Sequence, residues 1–322
     1  MSTRTALVLG AGGTVGMAYH AGVLRALEEV GGFRPDDADL IVGTSAGSMM
    51  GAMVRAGLST EDLFQASTGE HPELGQTQQR SPWAAAWDGP ADAMRRLIGS
   101  MYVLQRSAVR LPVPPLPAAL RRAFPAGFFT IDDAEDTISD VLPNQWPDRP
   151  LWLVTVDVGT GRRVVLGTKD PVRTDLHTAV KASCAIPAFF LPQRVDGRTL
   201  VDGGVHSTSN LDLATGFGAD VAIAIVPMAF DTSPRPSVAR QLGRLHAQRR
   251  LERELDETRA ADTSVLLLRP TADDLDAFGG LNMMRRQGNE RVARVAYDSA
   301  ARQLSSPYAR TVLERLQDSV AG

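Results

Sequence analysis

Residues 39–57 read Asp39-Leu40-Ile41-Val42-Gly43-Thr44-Ser45-Ala46-Gly47-Ser48-Met49-Met50-Gly51-Ala52-Met53-Val54-Arg55-Ala56-Gly57. Leu40-Ile41-Val42 is a short apolar run of strand character, and Ser48 to Ala56 is an apolar helix closed by Gly57. Between them, Gly43-Thr44-Ser45-Ala46-Gly47 satisfies G-x-S-x-G in the strand-to-helix context that a nucleophile elbow requires. The turn is so sharp that only residues without bulk, two positions either side of the serine, avoid the sheet and the helix. It exposes the hydroxyl at the carboxyl edge of the sheet, where the helix aims its amides and positive dipole end at a developing oxyanion. An ordinary glycine turn remains the alternative reading of this stretch on its own.

The same grammar occurs one unit earlier. Thr5 to Leu9 is a short apolar run ending in Gly10-Ala11-Gly12-Gly13-Thr14-Val15-Gly16, and Met17 to Val30 shows helical spacing through Ala18, Ala21, Val23, Leu24 and Leu27. Two strand-turn-helix units in succession predict a parallel sheet with crossover helices. The glycine turn admits two uses. A dinucleotide fingerprint is G-x-G-x-x-G, but here the last glycine falls at position 16, one residue late, and Asp36, Asp37 and Asp39 precede the second strand instead of ending it. The other use is to present adjacent backbone amides to a carbonyl oxygen held over Ser45, which needs small residues because a side chain would block the approach.

Further along, residues 68–129 change character. They hold a polar QTQQR run, Trp83 and Trp87 one helical turn apart, an amphipathic stretch from Ala91 to Leu104, and Pro112, Pro114, Pro115 and Pro117. This segment is expected to be a helical cap inserted over the sheet, either with its aromatics buried or with an apolar face that meets lipid. Strands are expected again at Leu151 to Val156, Val164 to Leu166, Thr199 to Val201, Val221 to Val226 and Val265 to Leu268, with a helix from Leu176 to Ser183. Ser237 to Ala261, rich in arginine and glutamate, reads as a solvated outer helix.

Composition sets the outer bounds. With 322 residues, 43% hydrophobic, 22% charged and a net charge of -3, the chain can bury a sizeable core and is neither disordered nor fibrous. Near-zero net charge gives no reason to expect a nucleic acid partner. All but two of the 34 basic residues are arginine, Lys169 and Lys181 being the exceptions. Cys184 is the single cysteine, so an internal disulfide and a multi-thiolate zinc site are excluded and a cytoplasmic, reducing setting is expected. The apolar run at the start is too short for a signal peptide, and no segment reaches the ~18 apolar residues of a membrane span.

A serine nucleophile needs a base. The five histidines are His20, His71, His177, His206 and His246, and a Ser-Asp-His order could be assembled from Asp202 and His246. His246, however, lies in the arginine-rich helix, where a surface role is the ordinary one. Asp202 ends the apolar strand Thr199-Leu200-Val201 and is followed by Gly203-Gly204, which holds a carboxylate at a strand end with backbone room beside it. An aspartate that merely starts a glycine turn has the same local signature.

Taken together, these segments resemble the patatin-like phospholipases, also called lipid acyl hydrolases. The resemblance rests on GAGGTVGMAYHAGVLRAL at 10–27, GTSAGSMMGA at 43–52, Ala182-Ser183-Cys184-Ala185-Ile186-Pro187, and Val201-Asp202-Gly203-Gly204, in that order, spanning about residues 5–215. It implies a three-layer α/β/α fold with a mainly parallel central sheet, and a Ser-Asp dyad in which Ser45 is the nucleophile and Asp202 both base and acid. It assigns Gly10, Gly12 and Gly13 to the oxyanion hole, with Gly43, Gly47, Gly203 and Gly204 supporting the motifs. Two departures stand out: the family usually carries arginine or lysine where this chain has Val15, and Tyr19-His20-Ala21 lengthens the usual A-H-x-G helix start by one residue. The missing cation weakens the case for charged phospholipid as the preferred substrate.

The expectation is thus a single α/β unit over 5–322, with a catalytic part at 5–215, the cap at 68–129 and C-terminal strands and helices at 216–322. It would hydrolyse fatty-acyl carboxylic esters through an acyl-enzyme, with no metal or other cofactor, a lipid or acyl-ester substrate, and peripheral membrane contact. The rival readings are an acyltransferase using the same serine, a Ser-His-Asp hydrolase, and a non-catalytic lipid- or nucleotide-binding module. Cys184 is expected to pack near the site without taking part.

Overall fold

The computed structural model describes residues 3–72, 74, 84–85, 89–105, 123, 125–131, 141–169, 172–230, 238–280 and 282–321. The first strand, β1 (Thr5–Leu9), is buried along its whole length and runs through the glycine turn into α1 (Gly13–Glu29). The helix begins at Gly13, earlier than the apolar spacing from Met17 suggests, because tertiary contacts hold its first turn in place of a side-chain cap. Met283 O accepts the Val15 N–H at 3.0 Å, and Arg285 O accepts the Thr14 hydroxyl at 2.7 Å. The second unit is β2 (Leu40–Thr44) followed by α2 (Ala46–Arg55), with Ser45 as the single residue between them. Next comes α3 (Thr60–Thr68), opened by a reciprocal Ser59–Asp62 capping box.

Five strands make the parallel part of the sheet. β5 (Leu151–Asp157), β2, β1, β9 (Val221–Ile225) and β10 (Ser264–Leu268) lie side by side in that order. Alternate residues face opposite layers, as the strand period requires. Leu7, Leu9, Ile41, Leu151, Leu153, Ile223, Ile225, Leu266 and Leu268 face one core, and Ala6, Val8, Leu40, Val42, Val154, Ala222, Ala224 and Val265 the other. The first core is covered by α1, α2, α3, α5 (Leu176–Ser183) and α9 (Asn289–Leu304). The second is covered by α6 (Asp212–Phe217) and α7 (Val238–Ala260). A sheet buried on both faces gives the three-layer α/β/α arrangement. Each leucine or isoleucine fully withdrawn from water contributes about 1.5–3 kcal/mol, so the larger side chains make the first face the heavier contributor.

The sheet changes direction at β5. β6 (Arg162–Leu166) pairs antiparallel along one edge, from Leu153↔Leu166 to Asp157↔Arg162. On the other edge β2 pairs as far as Thr44↔Val154, and the next residue of β5 is already taken by β8 (Arg198–Asp202), through Thr155↔Asp202. β2 and β8 therefore approach each other head-on along one edge of a common strand. β7 (Gln193–Val195) completes that hairpin outside β8.

Between β2 and β5 in the chain, β3 (Ala84–Ala85) pairs antiparallel with β4 (Phe129–Thr130), and α4 (Pro90–Leu104) bears out the amphipathic stretch. The QTQQR run, Trp83, Trp87 and Pro112 to Pro117 lie outside the described residues. The remaining helices are α8 (Ala272–Phe278) and α10 (Pro307–Ala321). α7 is the outer helix its charge suggests, with Arg249, Glu252, Arg253, Asp256 and Glu257 exposed, but its other face is buried. Leu251, Glu254, Leu255 and Thr258 are buried, and the Glu254 carboxylate accepts from Ser209 Oγ at 2.6 Å and Leu211 N at 3.0 Å. Buried partners on the chain after Asp202 draw this charged helix inward. Among the described residues, no helix is long and apolar enough to cross a membrane.

Candidate active site

The elbow has the backbone that its residues demand. Ser45 sits at φ 55°, ψ −119°, a conformation side chains rarely adopt and one that is stable only when its surroundings over-determine it. Gly47 shows why bulk is excluded: a Cβ there would stand 2.0 Å from the carbonyl oxygen of Leu9 at the end of β1. Gly43 faces the start of α2 in the same manner.

Asp202, the last residue of β8, arrives from the opposite direction. Its Oδ1 accepts the Gly204 amide at 2.7 Å, and the Ser45 side chain stands beside the carboxylate, where its hydroxyl favours the charged form. Ser45 and Asp202 are only 5% and 4% exposed. Burial raises the Asp202 pKa from the ordinary 3.8 to about 6, against the opposing effect of the two hydrogen bonds. Gly203 is forced by close approach, since a Cβ would lie 2.5 Å from Val154 O.

The glycine turn closes the third side. Ala11 stands beside Gly204, and Gly16 beside Ala46. Gly10 N–H donates to Ile225 O at 2.9 Å and Ala11 N–H to Thr208 O at 2.8 Å, so these two amides are engaged. Among the described residues, the amides of Gly12 and Gly13, like that of Thr14 in the first turn of α1, have no such backbone partner. The three glycines expected to form an oxyanion hole thus separate into a fixed Gly10 and two available donors.

Four of the five histidines are occupied elsewhere. His20 Nε2 donates to Gly10 O at 2.8 Å, and His177 Nε2 bonds Leu142 O at 2.8 Å. His71 accepts the Leu74 amide, and His206 pairs with Arg250 Nη2 at 3.1 Å. The His246 side chain is outside the described residues. Among the described residues, no histidine side chain is seen bonding Ser45 or Asp202. Burial pushes the His20 pKa down to about 4, so its ring is neutral and braces the glycine turn as a donor. That role was not expected from the sequence, although His20 shares the apolar face of α1 with Gly16, Val23, Leu24 and Leu27.

The acids considered for a ribose lie at the far edge of the sheet. Asp39 accepts the Thr5 amide at 2.7 Å, and Asp36 pairs with Arg55 at 2.7 Å. Val15, where a cation would be usual, is fully buried in the first core. Burial and the neighbouring Asp202 charge push the Cys184 thiol well above its ordinary range, keeping it protonated.

Comparison with known proteins gives the family of the chain. A family model described as "Patatin-like phospholipase" matches residues 7–215. An NTE family protein of Mycobacterium tuberculosis is 32% identical over 225 residues, covering 70% of this chain and 49% of that protein. Mouse patatin-like phospholipase domain-containing protein 7 is 29% identical over 225 residues, covering 68% of this chain and 13% of that protein. The chain thus spans at most about half the length of these curated relatives. VipD from Legionella pneumophila overlaps 94% of this chain and 67% of its own, with a TM-score of 0.45 and 12% identity, too loose a likeness to bear on the site.

Proposed function

The chain belongs to the patatin-like phospholipase family, and on that premise we propose that it is a lipid acyl hydrolase working through Ser45 and Asp202. The observation that carries this reading is the buried Asp202 carboxylate set beside Ser45 where β2 and β8 meet on β5, next to the glycine turn at the start of α1.

In the reaction, Asp202 takes the Ser45 proton as Oγ attacks the ester carbonyl, and the proton passes to the departing alcohol. Water, deprotonated by the same carboxylate, then releases the fatty acid from the acyl-enzyme. A pKa near 6 makes Asp202 a stronger base than an ordinary carboxylate while leaving it ionised at neutral pH. The amides of Gly12 and Gly13, with the dipoles of α1 and α2, stabilise the oxyanion. Neither half-reaction needs a metal. The Asp202 carboxylate beside Ser45, with His20, His71, His177 and His206 each bonded elsewhere, supports the dyad over a Ser-His-Asp triad.

The same reading treats residues 5–322 as one unit with the cap at 68–129, supported by a sheet that draws strands from Thr5 to Leu268. It places the protein in the cytoplasm and in peripheral contact with its lipid. The support for that contact is α4, whose outer face shows Met94, Leu97, Ile98, Met101 and Leu104 to solvent, with Met94 and Met101 58% and 62% exposed. Its inner face packs Val103 against Val156, Val158 and Val201, beside Asp202. With a fully buried Val15 where a cation is usual, neutral lipids and zwitterionic phospholipids are the expected substrates.

The test is a lipid panel read by mass spectrometry, together with p-nitrophenyl butyrate hydrolysis and fluorophosphonate labelling, with Ser45→Ala as the blank. Loss of all three signals in a folded Ser45→Ala protein is expected; retained hydrolysis would refute the assignment. Competing alcohols added to the lipid assay separate hydrolysis from acyl transfer.

A further inference from the structure

Ser45 is held in a conformation that its own residue type disfavours, and Asp202 ends a short strand that meets it head-on. Neither element fixes the other's position. The residues that touch both come from the end of α5 and the turn after it. Ser183, fully buried, accepts the Ser45 N–H on its Oγ at 3.1 Å and donates its own proton to Val154 O at 2.6 Å. With that proton spent, the 2.6 Å contact between Ser48 Oγ and Ser183 Oγ has Ser48 as donor. Ser183 therefore ties the elbow to β5 at the residue next to Thr155, the partner of Asp202. The following residue, Cys184, donates its thiol to Ser45 O at 3.3 Å. The next, Ala185, accepts the Asp202 N–H on its carbonyl at 2.9 Å.

We propose that Ser183-Cys184-Ala185 is the positioning element of the dyad: two consecutive side chains grip the main chain of Ser45 at both its polar groups, and the next carbonyl grips the main chain of Asp202. These residues touch neither substrate nor reacting atoms. They act by holding Oγ and the carboxylate in one geometry while the proton moves, which is where catalysis is sensitive to displacement. This rests on the Ser45–Asp202 reading above.

Cys184 thereby has a use that excludes reactivity. A thiolate has no proton to donate to Ser45 O, so the clip works only with the thiol protonated. Ser183 likewise has no spare capacity, since its one donor and both acceptor positions are filled.

The test measures p-nitrophenyl butyrate kinetics normalised to active sites titrated with a fluorophosphonate, for Ser183→Ala, Cys184→Ala and Cys184→Ser. Per titrated site, kcat is expected to fall about 100-fold in Ser183→Ala and about tenfold in Cys184→Ala, with KM unchanged. Cys184→Ser, which keeps a donor, is expected to restore most of the kcat. A merely structural role would lower the number of titratable sites or the melting temperature and leave kcat per site at the wild-type value, which overturns the proposal. Should Ser183→Ala fail to fold, the contrast between Cys184→Ala and Cys184→Ser decides alone. Wild-type protein that takes no label would remove the dyad reading and the positioning element with it. Labelled wild type with unchanged per-site kcat in the folded variants would remove the positioning element only.

Discussion

Asp202→Asn changes one proton site and little else, because asparagine can still accept the Gly204 amide and pair with the Ser45 hydroxyl. The folded carboxyl titrates near 6 because it is buried, whereas the unfolded chain titrates near 3.8. At 1.36 kcal/mol per unit, that displacement is worth about 3 kcal/mol. The sign follows from proton binding. Below pH ~4 both states hold the proton and the group is neutral to stability. As pH rises through this interval the unfolded state loses its proton first, so stability declines, and above pH ~6 the whole cost of a buried carboxylate is present. Asp202→Asn carries no such cost. The difference in unfolding free energy between variant and wild type should therefore grow in the variant's favour by about 2.5 kcal/mol from pH 4 to pH 8, the unfolded carboxyl being already half ionised at pH 4. Contributions from His20, whose depressed pKa weakens the fold as pH falls below its ordinary 6.5, are common to both proteins and cancel. Urea titrations followed by tryptophan fluorescence at several pH values measure the difference. A difference that stays constant with pH, or an asparagine variant progressively less stable toward pH 8, would refute the burial argument.

Three further outcomes follow from the same geometry. The pH profile of kcat/KM for p-nitrophenyl butyrate should fall tenfold per unit below an apparent pKa of about 6, since the base must be ionised; a profile flat to pH 5 would exclude Asp202 as the base. Gly47→Ala should cost upwards of about 3 kcal/mol through its clash with Leu9, while Gly216→Ala, with open space around its Cβ, should be neutral or stabilising by up to about 1 kcal/mol; chemical denaturation compares them. Replacing Met94, Leu97, Ile98 and Met101 together by serine should depress hydrolysis of phosphatidylcholine vesicles while sparing p-nitrophenyl butyrate, and equal loss on both would sink the assignment of α4 to the lipid interface.

The two strand-turn-helix units are legible in the sequence because their signals are local: a short apolar run, glycines at fixed offsets, then helical spacing. Ser45 and Asp202 are legible as residues at strand ends, one through its motif and the other mainly through family resemblance. What brings them together is not local. Nothing in Thr199-Leu200-Val201 says that the strand runs antiparallel to β5, or that it stops where β2 stops. The early start of α1 escaped notice because Met283 and Arg285, far away in the chain, supply its contacts. The charge of α7 shows its solvated face, but composition cannot reveal that Glu254 on the other face has buried donors at Ser209 and Leu211. Ser183 is equally silent in sequence, since a serine near a helix end is common. Asn210 hid for a similar reason: its Nδ2 donates to Thr44 Oγ1 at 3.1 Å from a left-handed backbone at φ 53°.

The meeting of β2 and β8 on one edge of β5 makes that strand a ruler for the active site. The serine-to-aspartate spacing is set by where each strand registers on β5, and a slip of one residue by either would shift its end by about 3.3 Å and turn its side chains to the opposite face. Apart from Ser183-Cys184-Ala185, the chain between Ser45 and Asp202 enters this measurement only through its pairing with the ruler. Cap and connecting loops can therefore lengthen, shorten or change composition from one relative to the next without retuning the chemistry, leaving access to the site free to diversify around an unaltered proton-transfer distance.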